Sequence, residues 1–367
     1  VNDTLGHYQG DELLRQVAMR LQRCVRQTDT VARLGGDEFV AVLPSTGAQD
    51  ATHIARRLLE RISQPYLLEQ HELNITPSIG LALYPDDGTD YQTLYRCADT
   101  AMYRAKQDGR NGFSFFTAEM QASSIRTLQL DNALRRALER DQLSLHFQPQ
   151  VDARNNQIIG AEALLRWHHP EFGLLYPDRF ISLAERSGFI IALGWEILRL
   201  ACEELARWQA QGISAWLAVN VSPLQLRQTD FSECVLEELR RHKVPPQRLE
   251  LDITETAVLG HEGQAIEHLR RLSDAGLSIS LDDFGQGYAG FSHLQSLPLN
   301  RLKIDRTVIA QLSNSHDDSP IVSSTIILTK RLGLEVVAEG VETREQVVCL
   351  RLAGCDIAQG YHFSRPL

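Results

Sequence analysis

Leu13, Leu14, Val17, Leu21 and Val25 recur at three- and four-residue intervals, the apolar stripe of an amphipathic helix that stops near Asp29. Two short apolar runs, Thr30 to Leu34 and Phe39 to Leu43, then flank Gly35-Gly36-Asp37-Glu38, which predicts a hairpin with two glycines and two acids at its tip. A helix over 51–62, a strand over 73–84, a helix over 94–107 and a closing strand over 113–116 complete a mixed α/β sandwich over residues 1–118. Residues 119–140 carry Ile125, Leu128, Leu130, Leu134 and Leu138 among charged positions, an amphipathic linker helix expected to pack on the domain C-terminal to it.

From residue 141 to 367 the pattern changes to short apolar runs alternating with helical stripes. Strands are predicted near 143–151, 157–165, 216–221, 249–254, 277–282, 300–304, 334–338 and 356–358, with helices near 189–211, 231–241, 262–274, 320–332 and 343–352. This is the rhythm of a TIM-like (β/α)8 barrel. The polar turn Asp152 to Asn156 is too short for a parallel crossover, so the first two strands should be antiparallel.

Polar residues gather where these strands end. Glu162, Asn220, Asp252 with Glu255, Asp282 with Asp283, Lys303 with Asp305, Glu339 and Gln359 each fall at or just inside the C-terminal end of a different strand, and in a barrel those ends converge on one face. Each alone reads equally as a helix cap or a surface ion pair, and Asp282-Asp283 before Gly285 and Gly287 as a solvated turn with an Asx hydrogen bond. As a set they suit oxygen-ligated divalent metals, Mg²⁺ or Mn²⁺, that activate water against a phosphodiester.

Composition narrows the partners. A net charge of −10 gives no basic footprint for bulk nucleic acid, so a nucleotide would be held by local positive groups and metal. The 6 cysteines show no CxxC spacing and read as core thiols of a reducing compartment. No apolar run approaches the ~20 residues of a membrane span, and there is no signal peptide, so a cytoplasmic location is expected. The chain begins at Val1 without a methionine, which points to a piece of a longer protein with room for a sensor or membrane domain upstream.

The first domain resembles the GGDEF diguanylate cyclase family. Gly35-Gly36-Asp37-Glu38-Phe39 is accompanied upstream by Asn2-Asp3, Gly6-His7 and Gly10-Asp11, and downstream by Ala105-Lys106 and Gly109-Arg110-Asn111. The resemblance implies a site for GTP: Asn2 and Asp11 on guanine, Gly35 and Gly36 against phosphates, Asp37 and Glu38 on metal, Lys106 and Arg110 on the triphosphate. It also implies an inhibitory product site at Arg26 and Asp29, the ends of an RxxD motif. The family's first strand, with a further metal-binding aspartate, is not in this sequence, so these residues alone are expected to have no cyclase activity.

The second domain resembles the EAL cyclic-di-GMP phosphodiesterase family, on Glu162-Ala163-Leu164-Leu165-Arg166-Trp167, Asn220-Val221-Ser222-Pro223, Asp282-Asp283-Phe284-Gly285, Leu302-Lys303-Ile304-Asp305, Ala338-Glu339-Gly340-Val341-Glu342 and Gln359-Gly360-Tyr361. The implied reaction linearises cyclic di-GMP to pGpG with two metal ions. Glu162, Asn220, Asp252 and Asp282 would bind one metal and Asp283 the other. Lys303 would orient and deprotonate the attacking water, with Glu339 as base. Gln148, Leu164, Arg166, Glu342 and Gln359 would line the substrate, and Glu255 would brace the loop after Asp283, through which the family's barrels form homodimers.

Two positions depart from the family. Asp252 stands where Glu is usual, and Ala289-Gly290 where two serines are usual. A final covering helix is expected to be missing after Leu367. The leading expectation is a metal-dependent hydrolase with the GGDEF domain as a GTP- or product-binding regulator. The alternatives are a cyclic-di-GMP receptor without turnover and a bifunctional cyclase and hydrolase in the full-length protein.

Overall fold

In the computed structural model, which describes residues 7–68, 71–258, 262–284, 296–312 and 320–367, the first apolar stripe forms helix α1, His7–Arg23. Its buried Leu13, Val17 and Leu21 meet Ile54, Leu58 and Ile62 of α2, Ala48–Ile62. Tyr66 and Leu68 close this core, and the Arg20 guanidinium lies 3.6 Å over the Tyr66 ring.

The hairpin forms as expected: β1, Thr30–Gly35, pairs antiparallel with β2, Glu38–Val42. The single strand expected over 73–84 does not form. β3, Tyr66–Leu68, pairs antiparallel with β4, His71–Leu73, and the chain re-enters as β5, Ser78–Leu81, parallel to β6, Gly112–Phe115. Pro77 has no N–H to give a ladder, which accounts for the interruption before Ser78. Helix α3, Tyr91–Gln107, is capped by Asp90, whose carboxylate accepts from Thr93 N at 2.9 Å. It crosses β5 so closely that a Cβ on Gly80 would stand 1.8 Å from the Ala98 carbonyl oxygen.

The chain divides into two compact units, Val1–Gln129 and Leu130–Leu367. Helix α4, Ala118–Glu139, spans that division, and its Leu130, Leu134 and Ala137 are buried in the core of the second unit.

The second unit is a closed barrel. β7, Leu143–Asp152, runs antiparallel to β8, Ile158–His169, and to β15, Ile357–Ala358. From β8 the sheet continues in parallel through β10 (Trp216–Val221), β11 (Leu249–Thr254), β12 (Ser278–Phe284), β13 (Arg301–Ile304) and β14 (Glu335–Ala338) to β15. The expected antiparallel opening pair is therefore present. β8 runs longer than expected, and β9, Gly173–Leu175, folds back on its end. Its turn uses Gly173 at φ +69°, a left-handed conformation that suits glycine.

Alternation along the strands divides the barrel into two environments. Leu217, Val219, Leu249, Leu251, Ile253, Ile279, Leu281, Leu302 and Ile304 join the apolar core with Leu193, Ile197, Ala201 and Leu205 of the helix Ile190–Ala210. The alternate positions Asn220, Glu250, Asp252, Ser280, Asp282, Arg301 and Lys303 turn to the barrel interior, where most are buried as well. Among the described residues no helix is long and apolar enough to cross a membrane.

Candidate active site

Lys303 has no solvent-exposed surface, although it is charged. Its Nζ lies 2.6 Å from Glu339 Oε1 and 2.9 Å from Asp252 Oδ2, with Glu162 at 3.7 Å and Asp282 at 3.8 Å. Four acids from four strands or strand ends thus surround one ammonium. Register explains the meeting: Asp252 pairs with Asn220, Thr254 with Asp282, and Glu162 with Ala218, two residues before Asn220.

Glu162 is held by amides. Asn220 Nδ2 donates to its Oε1 at 2.7 Å and Gln359 Nε2 to its Oε2 at 2.6 Å. Gln359 Nε2 also donates to Gln148 Oε1 at 3.1 Å, and Gln150 Nε2 donates to Gln359 Oε1 at 3.1 Å. Asp252 Oδ1, by contrast, is buried with no hydrogen-bond partner among the described residues.

The electrostatics follow from burial set against this crowding. Burial alone would lower the Lys303 pKa, but Asp252, Asp282, Glu162 and Glu339 outweigh it and hold the ammonium well above its ordinary range. Burial raises Glu162, yet Lys303 and the Gln359 and Asn220 amides more than compensate and keep that carboxyl low. For Asp252 burial wins despite Lys303, and its pKa rises well above normal. Burial likewise pushes Glu339 up to about 8.

The structure thus brings Glu162, Asn220, Asp252, Asp282, Lys303, Glu339, Gln148 and Gln359 together. Glu162 is mid-strand, because β8 continues to His169, but it lies one residue from the end of the β8 ladder with β10. The other expected residues are placed as follows. Asp305 is a helix cap, with its carboxylate accepting from Thr307 N at 2.8 Å. Glu342 is exposed ahead of the helix Arg344–Ala353, and its backbone N–H donates to Gln346 Oε1. Leu164 and Arg166 follow Glu162 on β8; the Arg166 guanidinium lies 4.8 Å over the Tyr176 ring. Glu255 is buried at the start of a short helix, Glu255–Val258. Asp283 is in β12, but its side chain and the loop from 285 to 295, including Ala289-Gly290, lie outside the described residues.

A hard divalent cation suits this donor set of carboxylate and amide oxygens, and Asp252 Oδ1, buried without a hydrogen-bond partner among the described residues, would be free to bind one. Among the described residues no three His, Cys, Asp or Glu side chains converge as a ready coordination shell. The acids converge on the Lys303 ammonium instead, so an ion at Glu162, Asn220, Asp252 and Asp282 would share their charge with Lys303.

Residues that the strand-end pattern passed over lie one layer deeper. Arg301 forms ion pairs with Glu250 and, at 2.9 Å, with Glu335. Its guanidinium lies 4.1 Å over the Trp216 ring, and the Trp216 indole donates to Gln150 Oε1 at 2.8 Å. Each of Trp216, Glu250, Arg301 and Gln150 lies two or four residues before a site residue on its own strand or, for Gln150, two after one; the period of two would have found them.

In the first unit Gly35, Gly36, Asp37 and Glu38 form the exposed hairpin tip, with Gly36 at φ +51° and its carbonyl accepting from Arg33. Asp11, Lys106 and Arg110 are exposed as well, and Asn2 lies outside the described residues. Arg26 and Asp29 form one turn: Arg26 N donates to Asp29 Oδ2 at 2.6 Å and Asp29 N to Arg26 O at 3.0 Å. Beside it is a cleft of about 290 Å³ lined by Arg23, Arg26, His53 and Arg57, together with Asp50.

Two family matches cover these units: the EAL domain over residues 131–366 and the diguanylate cyclase GGDEF domain over residues 1–112. The chain is 45% identical over 368 residues to the bifunctional diguanylate cyclase/cyclic di-GMP phosphodiesterase MucR of Pseudomonas aeruginosa, covering 100% of this chain and 54% of that protein. It is 37% identical over 371 residues to the cyclic di-GMP phosphodiesterase PdeR of Escherichia coli, covering 100% of this chain and 55% of that protein. The chain thus spans about half the length of these curated relatives. Among solved structures, the PaMucR phosphodiesterase in its c-di-GMP complex superposes with a TM-score of 0.62 and 42% identity, covering 65% of this chain and 97% of that one. EAL domains are metal-dependent. With its barrel acids in place and a GGDEF domain ahead of them, the chain belongs to the EAL-domain family, in the GGDEF–EAL arrangement.

Proposed function

We propose that the barrel hydrolyses cyclic di-GMP to linear pGpG. The observation that carries this reading is the convergence of Glu162, Asp252, Asp282 and Glu339 around the buried Lys303. A receptor needs shape and hydrogen bonds; it does not need four acids crowded around a buried lysine, an arrangement that costs stability unless chemistry uses it.

Glu162, Asn220, Asp252 and Asp282 would hold one Mg²⁺ or Mn²⁺ ion, with Asp283 serving a second. The ions would supply an activated water and neutralise charge on the phosphate. Lys303 keeps its proton, because the surrounding acids hold its pKa well up. It therefore acts as a donor that orients the water and steadies the phosphate oxygens, and the proton passes to an acid. Glu339, raised to about 8 and 2.6 Å from Lys303, suits that role near neutral pH. Gln148, Leu164, Arg166, Glu342 and Gln359 are assigned to the nucleotide, Glu255 to support of the loop after Asp283, and the barrel to a homodimer.

For the first unit we assign a regulatory role. The cleft beside Arg26 and Asp29, with three arginines and a histidine on its wall, favours an anionic nucleotide, the product-type site of the RxxD motif. GTP would bind at Asn2, Asp11, Gly35, Gly36, Asp37, Glu38, Lys106 and Arg110 as regulator or, in the full-length protein, as substrate.

The test is incubation of the purified chain with cyclic di-GMP and Mg²⁺ or Mn²⁺, with and without GTP, following pGpG by chromatography beside Glu162→Ala. Product that disappears in the variant supports the hydrolase. Binding of cyclic di-GMP without pGpG under either metal overturns it in favour of a receptor.

A further inference from the structure

Gln359 meets Glu162 through the N–H side of its amide, 2.6 Å from Glu162 Oε2. Turned over, the same amide would set its oxygen against a buried carboxylate. What fixes its orientation is a pair of hydrogen-bond chains, each beginning at a group of one polarity.

The first begins at Trp216. An indole N–H only donates, so Gln150 receives it with Oε1 at 2.8 Å, and this leaves Gln150 Nε2 to donate to Gln359 Oε1 at 3.1 Å. The oxygen of Gln359 is thereby occupied on the side away from Glu162. The second begins at the Ser364 carbonyl, which only accepts. Gln148 gives it Nε2 at 3.1 Å and turns its own Oε1 to receive Gln359 Nε2 at 3.1 Å. Both chains require the same orientation of Gln359.

The indole itself is immobilised. A Cβ on Gly160 would come 2.3 Å from the Trp216 ring, so only glycine leaves room for it there. On another side the Arg301 guanidinium lies 4.1 Å from the ring centroid, anchored by Glu250 and Glu335. Gln150 is wholly buried, so water does not replace either of its partners.

We infer that Trp216 and Gln150 are positioning residues of the phosphodiesterase site: they fix the polarity of Gln359 and so hold Glu162 ready for a divalent cation. This rests on the reading that Glu162 is a metal ligand. The competing account makes Trp216 a plug that merely fills the barrel beneath the site.

Trp216→Phe separates the two, since it keeps an aromatic ring and removes the N–H. Mg²⁺ and Mn²⁺ are titrated calorimetrically into the full chain without substrate. Trp216→Phe should weaken binding about tenfold, the scale of losses from groups that orient metal ligands. In a Gln359→Leu background the same change should stay within about twofold, because the chain has lost its last link. Gln150→Met, which fills the space without either hydrogen bond, should weaken the ion as Trp216→Phe does.

Urea unfolding of the metal-free variants supplies a readout independent of any ion. The inference expects Trp216→Phe and Gln359→Leu, which are linked by hydrogen bonds only through Gln150, to be non-additive. Equal losses from Trp216→Phe with and without Gln359, in both measurements, overturn it and leave the plug. If the unaltered chain binds neither ion, the phosphodiesterase reading fails on its own, and the unfolding cycle still decides the positioning role.

Discussion

Lys303 Nζ lies 2.6 Å from Glu339 Oε1 with no access to solvent, and the same ammonium is 2.9 Å from Asp252 Oδ2. One cation therefore holds acids from both sides of the barrel interior. Lys303→Met keeps the length of the side chain and leaves those acids facing one another. Removing one partner of a buried ion pair typically costs about 3–5 kcal/mol, and loss of a donor that steadies developing charge costs about 10²–10³ in rate. Urea unfolding and pGpG formation measure the two effects; a variant with unchanged turnover would remove Lys303 from the mechanism.

The raised pKa of Glu339 sets a pH dependence. Its folded value, about 8, exceeds the ordinary 4.5 of the unfolded chain, so the folded state binds the extra proton between those values. The stability this contributes is complete below 4.5 and is lost as pH rises through 8. The metal-free protein should therefore unfold at progressively lower urea from mildly acid to mildly alkaline conditions. Glu339→Gln should flatten the profile, and an unchanged slope in that variant would assign the dependence to other groups. Mg²⁺ should reverse the trend, because ligand acids bind metal in their deprotonated form.

Asp252 is one methylene shorter than the glutamate that the family resemblance leads one to expect there, and its Oδ1 has no hydrogen-bond partner among the described residues. Asp252→Glu extends the arm toward Glu162 and Asp282, and tighter Mg²⁺ binding with turnover at least equal to the parent is expected. Calorimetry and initial rates decide it. A loss of both would mean that the surrounding strands are spaced for the shorter acid.

Gly80→Ala tests the first unit by itself. The added methyl would meet the Ala98 carbonyl at 1.8 Å, and helix α3 must lift from β5 to admit it. Overpacking of this kind costs about 1–3 kcal/mol. Thermal unfolding should show a lowered transition for this unit, with pGpG formation by the barrel retained.

Much of this was legible in the sequence because alternation is a strong signal for parallel strands that end on polar groups. Asn220, Asp252, Asp282 and Lys303 each follow an apolar run, and each lies in the cluster. The antiparallel start of the barrel followed from the short turn after Asp152. What was not legible depended on where strands end and on partners distant in sequence. Glu162 looked like a strand end because apolar residues thin out after Leu165, yet Arg166 to His169 continue the ladder against β7 and β9. Asp305 also follows an apolar run, and its Oδ1 caps the helix that begins at Arg306 by accepting from Thr307 N, a role the strand-end pattern does not separate from the site. The strand over 73–84 failed at Pro77, a residue that breaks ladders wherever its neighbours are paired. The Trp216–Gln150 contact joins strands 66 residues apart in sequence, a distance that no local pattern reports.

The division of the barrel into an apolar outer wall and a charged inner lining has an evolutionary consequence. Packing against the helices is carried by one set of strand positions, and chemistry by the alternate set. A lineage can therefore rewrite the lining, trading hydrolysis for ligand sensing or changing the ion it prefers, while the outer wall keeps the barrel folded. Loss and recovery of catalysis then become short mutational walks on a constant scaffold.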